Sequence, residues 1–175
     1  MIKKLMLVCS VAVMLSACGD KDGKTAAPDA TVIPTSATAV SQSPSSDVSG
    51  FPKAKRPYTV EQAVQNGDVV NVHGQSHNMD IWSRFLQNVE DRKAEKVRIT
   101  QYTTEGDPIF YELVYDGDSI LYTYDNSLDV FGSDAGRPST KCKGIEKKKL
   151  EGRPEGYVLS GCEDKETGET FFFGG

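Results

Sequence analysis

Few residues of this chain combine the types and spacing that chemistry requires. His73 and His77 are the only two histidines, and they lie four positions apart. Histidine pairs bind zinc when a rigid helix or hairpin carries them and further ligands join them. Here a glycine follows the first histidine directly, so we favour a loop that leads into a helix over a metal site.

Acidic side chains cluster in the second half of the chain, where they could attract calcium, a cation that prefers several oxygen ligands. Their spacing does not match an EF-hand loop, and the first of them is explained by a turn. We therefore predict no metal and no cofactor, with a weak calcium site as the alternative. The residues are Asp116, Asp118, Asp125, Asp129 and Asp134.

No catalytic residue can be assigned from the sequence. The GxSxG, HExxH and P-loop motifs do not occur, and the serines have no histidine and carboxylate context. Carboxylates are too frequent in this acidic chain to assign acid and base roles. An enzyme is therefore the less favoured kind of function.

A basic run in the last quarter of the chain is its most unusual surface feature. Alternate side chains of a strand share a face, so four lysines on one strand would form a positive stripe. The stripe could contact an anionic wall polymer or lipid headgroups. Lysines also protect edge strands from aggregation, and we favour this second interpretation. The four are Lys141, Lys143, Lys147 and Lys149.

Cys142 and Cys162 are predicted to form a disulfide. A hairpin over residues 140–162 that turns at Gly152 places the two cysteines directly opposite each other. A directly opposed pair without backbone hydrogen bonds has the Cα separation that a disulfide tolerates. A redox-active pair is the alternative, although the chain has no closely spaced CxxC motif.

The amino terminus has the pattern of a secretory signal. Lys3 and Lys4 precede an apolar stretch over residues 5–17, which is too short for a spanning helix of roughly 20 residues. Residues 15–18, Leu-Ser-Ala-Cys, resemble the lipobox of bacterial lipoproteins. In that family the matching cysteine, here Cys18, is acylated, and chains such as palmitate anchor the processed protein to the membrane. An ordinary signal peptide is the alternative.

The sequence divides into a signal peptide (1–17), a linker (18–56) and one folded domain (57–175). The linker is rich in Ser, Thr, Ala and Pro. It cannot bury a core, so we expect it to be disordered. Loss of the signal peptide would leave 18 basic and 25 acidic side chains, and this acid excess argues against nucleic acid as a partner.

Hydrophobic spacing predicts an α+β domain: two N-terminal helices packed on an antiparallel meander sheet, followed by the disulfide-linked hairpin. The first helix covers residues 59–66, with Thr59 and Gln62 as a capping box. The second covers residues 78–92, with Asn78 as its cap and an apolar face. That face carries Met79, Trp82, Phe85, Leu86 and Val89.

Two turns set the register of the three-stranded meander. A two-residue turn that starts at Asp116 pairs Leu113 with Ile120, and a three-residue loop at 105–107 pairs Ile99 with Leu113. Both turns place the same side chains on one face, as a real sheet requires. The predicted buried face carries Val97, Ile99, Ile109, Tyr111, Leu113, Ile120, Tyr122 and Tyr124. The opposite face carries Arg98, Thr100, Phe110, Glu112, Val114, Leu121, Thr123 and Asp125.

Short segments spread over residues 58–166 carry a resemblance to a known family. They are 58–63 (YTVEQA), 66–71 (NGDVVN), 73–74 (HG), 105–109 (EGDPI), 122–126 (YTYDN), 141–145 (KCKGI) and 161–164 (GCED). With these segments the chain resembles uncharacterised lipoproteins of Gram-positive, Bacillus-type bacteria. The resemblance implies a cell-surface lipoprotein and no established activity.

The signal features predict a lipid-anchored protein, and the resemblance implies that it lies on the outer face of the cytoplasmic membrane of a Gram-positive bacterium. Its domain is expected to bind an envelope protein, a peptide or a wall polymer. An envelope enzyme that acts on wall or peptide substrates is the first alternative. A module that contacts anionic polymer through the lysine stripe is the second.

Overall fold

The computed structural model describes residues 50–174 of the chain. The expected signal peptide, Cys18 and the linker up to residue 49 lie outside this part. The expected α+β class is confirmed, and no helix in the described part is long and apolar enough to cross a membrane. The elements are α1 (Val60–Gln65), β1 (Val69–Val72), β2 (Gln75–His77), α2 (Met79–Glu90), β3 (Glu95–Tyr102), β4 (Pro108–Tyr115), β5 (Ile120–Asp125), β6 (Ser139–Cys142), β7 (Gly144–Lys149), β8 (Glu155–Ser160) and α3 (Lys165–Glu169).

Six strands form one large sheet in the order β2-β1-β3-β4-β5-β6, and β7 and β8 form a separate hairpin. Neighbours in the large sheet are antiparallel except β1 and β3, which are parallel. A parallel pair needs a crossover connection, and α2 lies within the connection from β1 to β3. The predicted meander is β3-β4-β5, and the structure extends it on both sides.

The first helix begins at the predicted capping box. The Thr59 hydroxyl accepts the backbone N–H of Gln62 at 3.3 Å, and the Gln62 side chain accepts the N–H of Thr59 at 3.0 Å. Both donors at the helix start are thereby satisfied reciprocally. Gly67 follows the helix with a φ of +81°, a conformation that glycine adopts without steric cost.

Asn78 holds the predicted N-cap position of α2, but its side chain makes no capping hydrogen bond. Its backbone is left-handed, with a φ of 58°, a region that Asn tolerates better than most residues. Its side-chain amide instead donates to the carbonyl oxygens of Val64 at 3.0 Å and Asp68 at 2.8 Å. Asn78 therefore ties the end of α1 to the start of α2.

The meander pairs two residues away from the predicted register. Leu113 lies opposite Val97 on β3 and Tyr122 on β5. The prediction placed it opposite Ile99 and Ile120. A shift of two residues keeps the side chains of each strand on their predicted face, because side chains alternate with a period of two.

Both connections of the meander are longer than predicted, which causes this shift. The carboxylate of Asp116 accepts the backbone N–H groups of Asp118 and Ser119 at 2.9 and 2.8 Å. The turn therefore extends to Ser119 before β5 begins. The connection from β3 to β4 covers residues 103–107 and is likewise closed by side-chain and backbone bonds within the loop.

The apolar core lies between one face of the large sheet and α2. Trp82 and Phe85 of α2 are 2% and 0% exposed. Two phenylalanines near the carboxyl end, Phe171 and Phe173, complete the core, and burial of each such side chain contributes about 2–3 kcal/mol. The sheet contributes Val69, Val97, Ile99, Leu113, Tyr115, Ile120, Tyr122 and Cys142.

Of the two N-terminal helices predicted to pack on the sheet, only α2 contributes to this core. From α1, only Ala63 is buried, and it lies outside this core. The C-terminal segment takes the place that the first helix was expected to fill, since Phe171 packs edge-on against Tyr122 with ring centroids 5.5 Å apart. Ile109, predicted to be buried, is half-buried and also lies outside the core.

The predicted Cys142–Cys162 disulfide is present. Ile145 lies opposite Leu159 as expected, but the hairpin consists of β7 and β8 alone. The preceding strand, β6, leaves it and pairs with β5. The bond therefore links the edge of the large sheet to the chain that leaves β8.

Candidate functional site

The second face of the large sheet is a buried network of charged side chains. Asp68, Glu112 and Asp125 are 2%, 1% and 1% exposed, and Arg98 is 7% exposed. Arg137 enters from the loop between β5 and β6. The predicted register places three of the five on this face, but nothing in the local sequence indicates that the face is covered.

Opposite charges alternate along this network. Arg98 lies 3.1 Å from Asp68 and 3.4 Å from Glu112. Arg137 continues the row, because it pairs with Glu112 and lies 2.9 Å from Asp125. An isolated buried charge costs several kcal/mol. The alternation of charges is what allows this face to be covered.

Three aromatic rings surround the Arg98 guanidinium. Its central carbon lies 5.3, 5.7 and 5.6 Å from the ring centroids of Phe51, Tyr58 and Phe110, within the range of cation–π attraction. Burial alone would lower the pKa of Arg98, but Asp68, Tyr58 and Glu112 together outweigh this effect and the pKa is raised. Arg98 therefore remains a cation.

The segment 50–58, which we call the strap, covers the Arg98 end of this network. The carbonyl oxygen of Gly50 accepts from the Lys96 ammonium at 3.1 Å, and that of Pro52 accepts from Arg98 at 3.2 Å. Most of the strap was predicted to belong to the disordered linker. The structure instead places it against β3, because charged side chains of the sheet bind its backbone, and composition does not reveal such contacts.

A pocket of about 500 Å³ opens where the strap meets α1, the end of β1 and the connection from β3 to β4. Most of its wall is apolar, with a few polar groups at its rim, as is common for ligand sites. We call it the tyrosine pocket. It is lined by Arg56, Pro57, Tyr58, Thr59, Val60, Glu61, Val72, His73, Tyr102, Gly106, Asp107 and Pro108.

Both tyrosines of the pocket are held by hydrogen bonds. The Tyr58 hydroxyl donates to Asp68 at 2.6 Å, and the Tyr102 hydroxyl donates to the carbonyl oxygen of Tyr58 at 3.1 Å. Burial raises the pKa of Tyr58 to about 12, and the bond to Asp68 adds to this effect. Burial likewise raises the pKa of Tyr102. Both phenols are therefore neutral at physiological pH.

The charged groups of the pocket leave one carboxylate unneutralised. Arg56 and Asp107 form an ion pair of 3.1 Å. Glu61 is exposed, and its pKa is lowered by its own backbone N–H and by the Thr59 hydroxyl. No ion pair to Glu61 occurs within residues 50–174. The lining of the pocket therefore carries a net negative charge.

This arrangement suits binding better than catalysis. The lining contains neither serine nor cysteine, and the Thr59 hydroxyl is used by the helix cap. His73 lines the pocket, but among the described residues no hydrogen bond joins its side chain to Glu61 or Asp107. A general base needs a partner that orients it and a group from which it takes a proton.

A loop beside the pocket presents two apolar side chains to solvent. Val130 is 63% exposed and Phe131 is 77% exposed, and we call them the apolar tip. Asp107 accepts the backbone N–H of Val130 at 2.8 Å, and Asp129 accepts that of Phe131 at 3.1 Å. The tip is therefore fixed by the carboxylate that also pairs with Arg56 in the pocket wall.

A profile of the family DUF4362, a domain of unknown function, matches residues 66–155, just over half of the chain. The chain belongs to DUF4362. No curated protein and no solved structure gives a match. The DUF4362 segment contains all five charged residues of the buried network, whereas the strap and Cys162 lie outside it.

The four lysines of the predicted stripe are spread over two different sheets and the junction between them. Lys141 lies on β6, Lys147 and Lys149 lie on β7, and Lys143 lies at the junction. The expectation that one strand carries all four lysines is therefore wrong, because the chain leaves the large sheet after Cys142 and enters the β7–β8 hairpin.

Two of these lysines have acidic neighbours. Lys147 pairs with Glu155 across the hairpin at 2.8 Å, and Lys141 lies 3.9 Å from Asp116. Exposed pairs of this kind contribute at most about 1 kcal/mol, so they leave the lysines available. Contact with an anionic polymer stays a prediction.

The two histidines lie on a hairpin rather than in the predicted loop. Val72 pairs with Gln75, and the two residues of the turn, His73 and Gly74, have φ values of 50° and 89°. Two-residue hairpins favour such left-handed turns. His77 ends β2, and no group of three or more potential metal ligands occurs within residues 50–174.

Proposed function

We propose that this DUF4362 protein is a lipoprotein, held through acylated Cys18 on the outer face of the cytoplasmic membrane of a Gram-positive bacterium. Its folded part then acts as a binding module that presents the tyrosine pocket to an envelope partner. The charged start, the short apolar stretch and the Leu-Ser-Ala-Cys sequence support the anchor. The folded part has no helix that could span a membrane.

The tyrosine pocket is the observation that carries the binding function. It is formed before any ligand arrives, because hydrogen bonds and an ion pair already hold Tyr58, Tyr102 and Arg56 in its wall. A preformed site reduces the ordering cost of binding. The lining offers ring faces, proline and valine surface and a carboxylate, but no nucleophile with an oriented base.

The disulfide supports an extracytoplasmic location. Disulfides persist in oxidising compartments and are rare in the reducing cytosol. The bond between Cys142 and Cys162 joins two structural elements, and the chain has no CxxC motif that would indicate a redox role.

Two measurements test the anchor and the site separately. Replacement Cys18→Ser should release the protein from sedimented membranes, and unchanged sedimentation would contradict the anchor. A photo-crosslinking residue placed at His73, which lines the pocket, should capture a partner in cells. The matched control is the same residue at His77, which is exposed on β2 and does not line the pocket. Equal capture at both positions would refute the pocket as the binding site.

An envelope enzyme is the second candidate, because the pocket brings His73 to the same cavity as two carboxylates. In that case His73 would activate a water for attack on a wall or peptide substrate. The ionised state of Glu61 argues against a carboxylic acid that donates a proton at neutral pH. Turnover of purified wall fragments that His73→Ala abolishes would establish this candidate over the first.

A further inference from the structure

We propose that the tyrosine pocket takes a lysine or arginine side chain from an extended segment of a partner protein, and that the apolar tip contacts the same segment. This inference rests on the proposed binding function and names what binds. Three features carry it: the walls of the pocket, its charge and the position of the tip.

The walls of the pocket fit the stem of a long basic side chain. Lys and Arg bury their methylene groups on apolar surface while the charged head stays polar. Pro57, Val60 and Val72 supply such surface. Tyr102 adds an aromatic ring, which attracts a cation at its face, whereas the Tyr58 ring already contacts Arg98.

The charge of the pocket selects a cationic head over a neutral or anionic one. Because Arg56 is paired with Asp107, the carboxylate of Glu61 is left to face a ligand. Burial is the main cause of the raised pKa of Tyr102, and the nearby Tyr58, Asp68 and Glu61 add to it.

The charge of the whole domain acts in the same direction. The chain carries 20 basic and 25 acidic side chains, and four of each precede residue 50. The described part therefore keeps the full acid excess. An excess of one sign raises the rate at which partners of the opposite sign associate.

The apolar tip favours a polypeptide over a small cation. Arg56 donates to the carbonyl oxygen of Leu128 and Asp107 accepts from Val130, so two pocket residues hold the base of the loop. The backbone of Phe131 is thereby held beside the pocket before a partner binds, which lowers the ordering cost of binding. Exposed aromatic residues on rigid supports are typical anchors of protein interfaces. A small ammonium compound in the pocket would leave Phe131 without a role.

Short synthetic peptides test the assignment with the full mature chain in detergent micelles. Each peptide places one leucine next to a variable position that holds lysine, norleucine or glutamate. Norleucine keeps the stem of lysine and removes the charge. We expect the lysine peptide to bind roughly tenfold more tightly than the norleucine peptide, and the glutamate peptide more weakly than both.

Variants assign the effect to the pocket and the tip. Glu61→Gln should reduce the preference for lysine over norleucine to about threefold, whereas Glu90→Gln, which removes the same charge from the exposed end of α2, should leave it unchanged. Phe131→Ser should weaken the lysine and norleucine peptides equally. Competition by n-butylammonium is measured beside these variants. A ligand that needs Phe131 should bind more tightly than n-butylammonium, which has no group to contact the tip.

Four outcomes overturn the inference. The first is equal affinity for the lysine and norleucine peptides, and the second is an equal effect of Glu61→Gln and Glu90→Gln. The third is competition by n-butylammonium at the same concentration as the lysine peptide. The fourth is binding to phosphatidylglycerol vesicles that depends on Phe131, with no binding of the peptides. Each leaves the proposed binding function standing if the crosslinker at His73 still captures a partner more strongly than that at His77. Equal capture at the two histidines refutes the binding function itself.

Discussion

Asp107 accepts the backbone N–H of Val130 at 2.8 Å, across 23 positions of the chain. Its other carboxylate oxygen pairs with Arg56 at 3.1 Å. One buried side chain thus fixes both the wall of the tyrosine pocket and the loop that carries the apolar tip. The two parts of the proposed binding surface are mechanically joined at this residue.

Removal of this carboxylate should loosen both parts. We expect Asp107→Ala to lower the free energy of unfolding by about 1–3 kcal/mol, because a buried acceptor of a backbone bond and an ion-pair partner are lost together. Hydrogen exchange at the amide of Val130 should become faster. The control Asp118→Ala removes an exposed carboxylate, and an equal loss of stability in this variant would contradict the role of Asp107.

Arg98 should be essential for the fold. Arg98→Met leaves Asp68 without its ion-pair partner at a buried position, so we expect a loss of about 3–5 kcal/mol in unfolding free energy. Urea unfolding followed by circular dichroism measures this loss. The control Arg84→Met removes a mostly exposed partner of Glu95 and should cost about 1 kcal/mol or less. Similar losses in both variants would show that the network contributes little.

The fold should lose stability in alkaline solution. Burial raises the pKa of Tyr58 and of Tyr111 to about 12, so the folded state favours the neutral phenols. Their contribution is complete below the ordinary tyrosine pKa of about 10 and is lost as the pH rises towards 12. Urea midpoints measured between these pH values should fall. In Tyr58→Phe the fall should be smaller, and an unchanged slope would contradict this assignment.

The disulfide should stabilise the fold because it closes a loop and so lowers the conformational entropy of the unfolded chain. The bond spans 20 positions, and the chain-entropy relation gives about 3 kcal/mol for such a loop. We expect the double variant Cys142→Ala and Cys162→Ala to lose about this amount in urea unfolding. Thiol labelling of the denatured, unreduced protein should modify neither cysteine, and labelling of both would disprove the bond.

The lysines of β7 should protect its open edge. Among the described residues β7 pairs with β8 alone, and charged side chains at such an edge oppose association with another strand. Lys147→Thr together with Lys149→Thr should therefore increase aggregation, measured by light scattering. Loss of salt-sensitive binding to an anionic wall polymer, with no change in aggregation, would favour the contact role instead.

Local patterns in the sequence determine the capping box of α1, the apolar face of α2 and the faces of the meander. Each depends on side chains a few positions apart. The sequence also predicts the Cys142–Cys162 bond, although it does so from one hairpin, whereas Cys142 lies on β6 and Cys162 follows β8. The faces of the meander are correct although the register is wrong, because an error of two residues preserves the alternation of a strand.

Tertiary structure alone decides which surfaces are covered. The strap lies on the charged face because Arg98 and Lys96 bind carbonyl oxygens 46 positions earlier, and no local pattern encodes such a contact. The C-terminal phenylalanines enter the core, and β6 joins the large sheet, through equally distant pairings. The tyrosine pocket likewise depends on tertiary structure, because its walls come from four separate parts of the chain that only the folded state brings together.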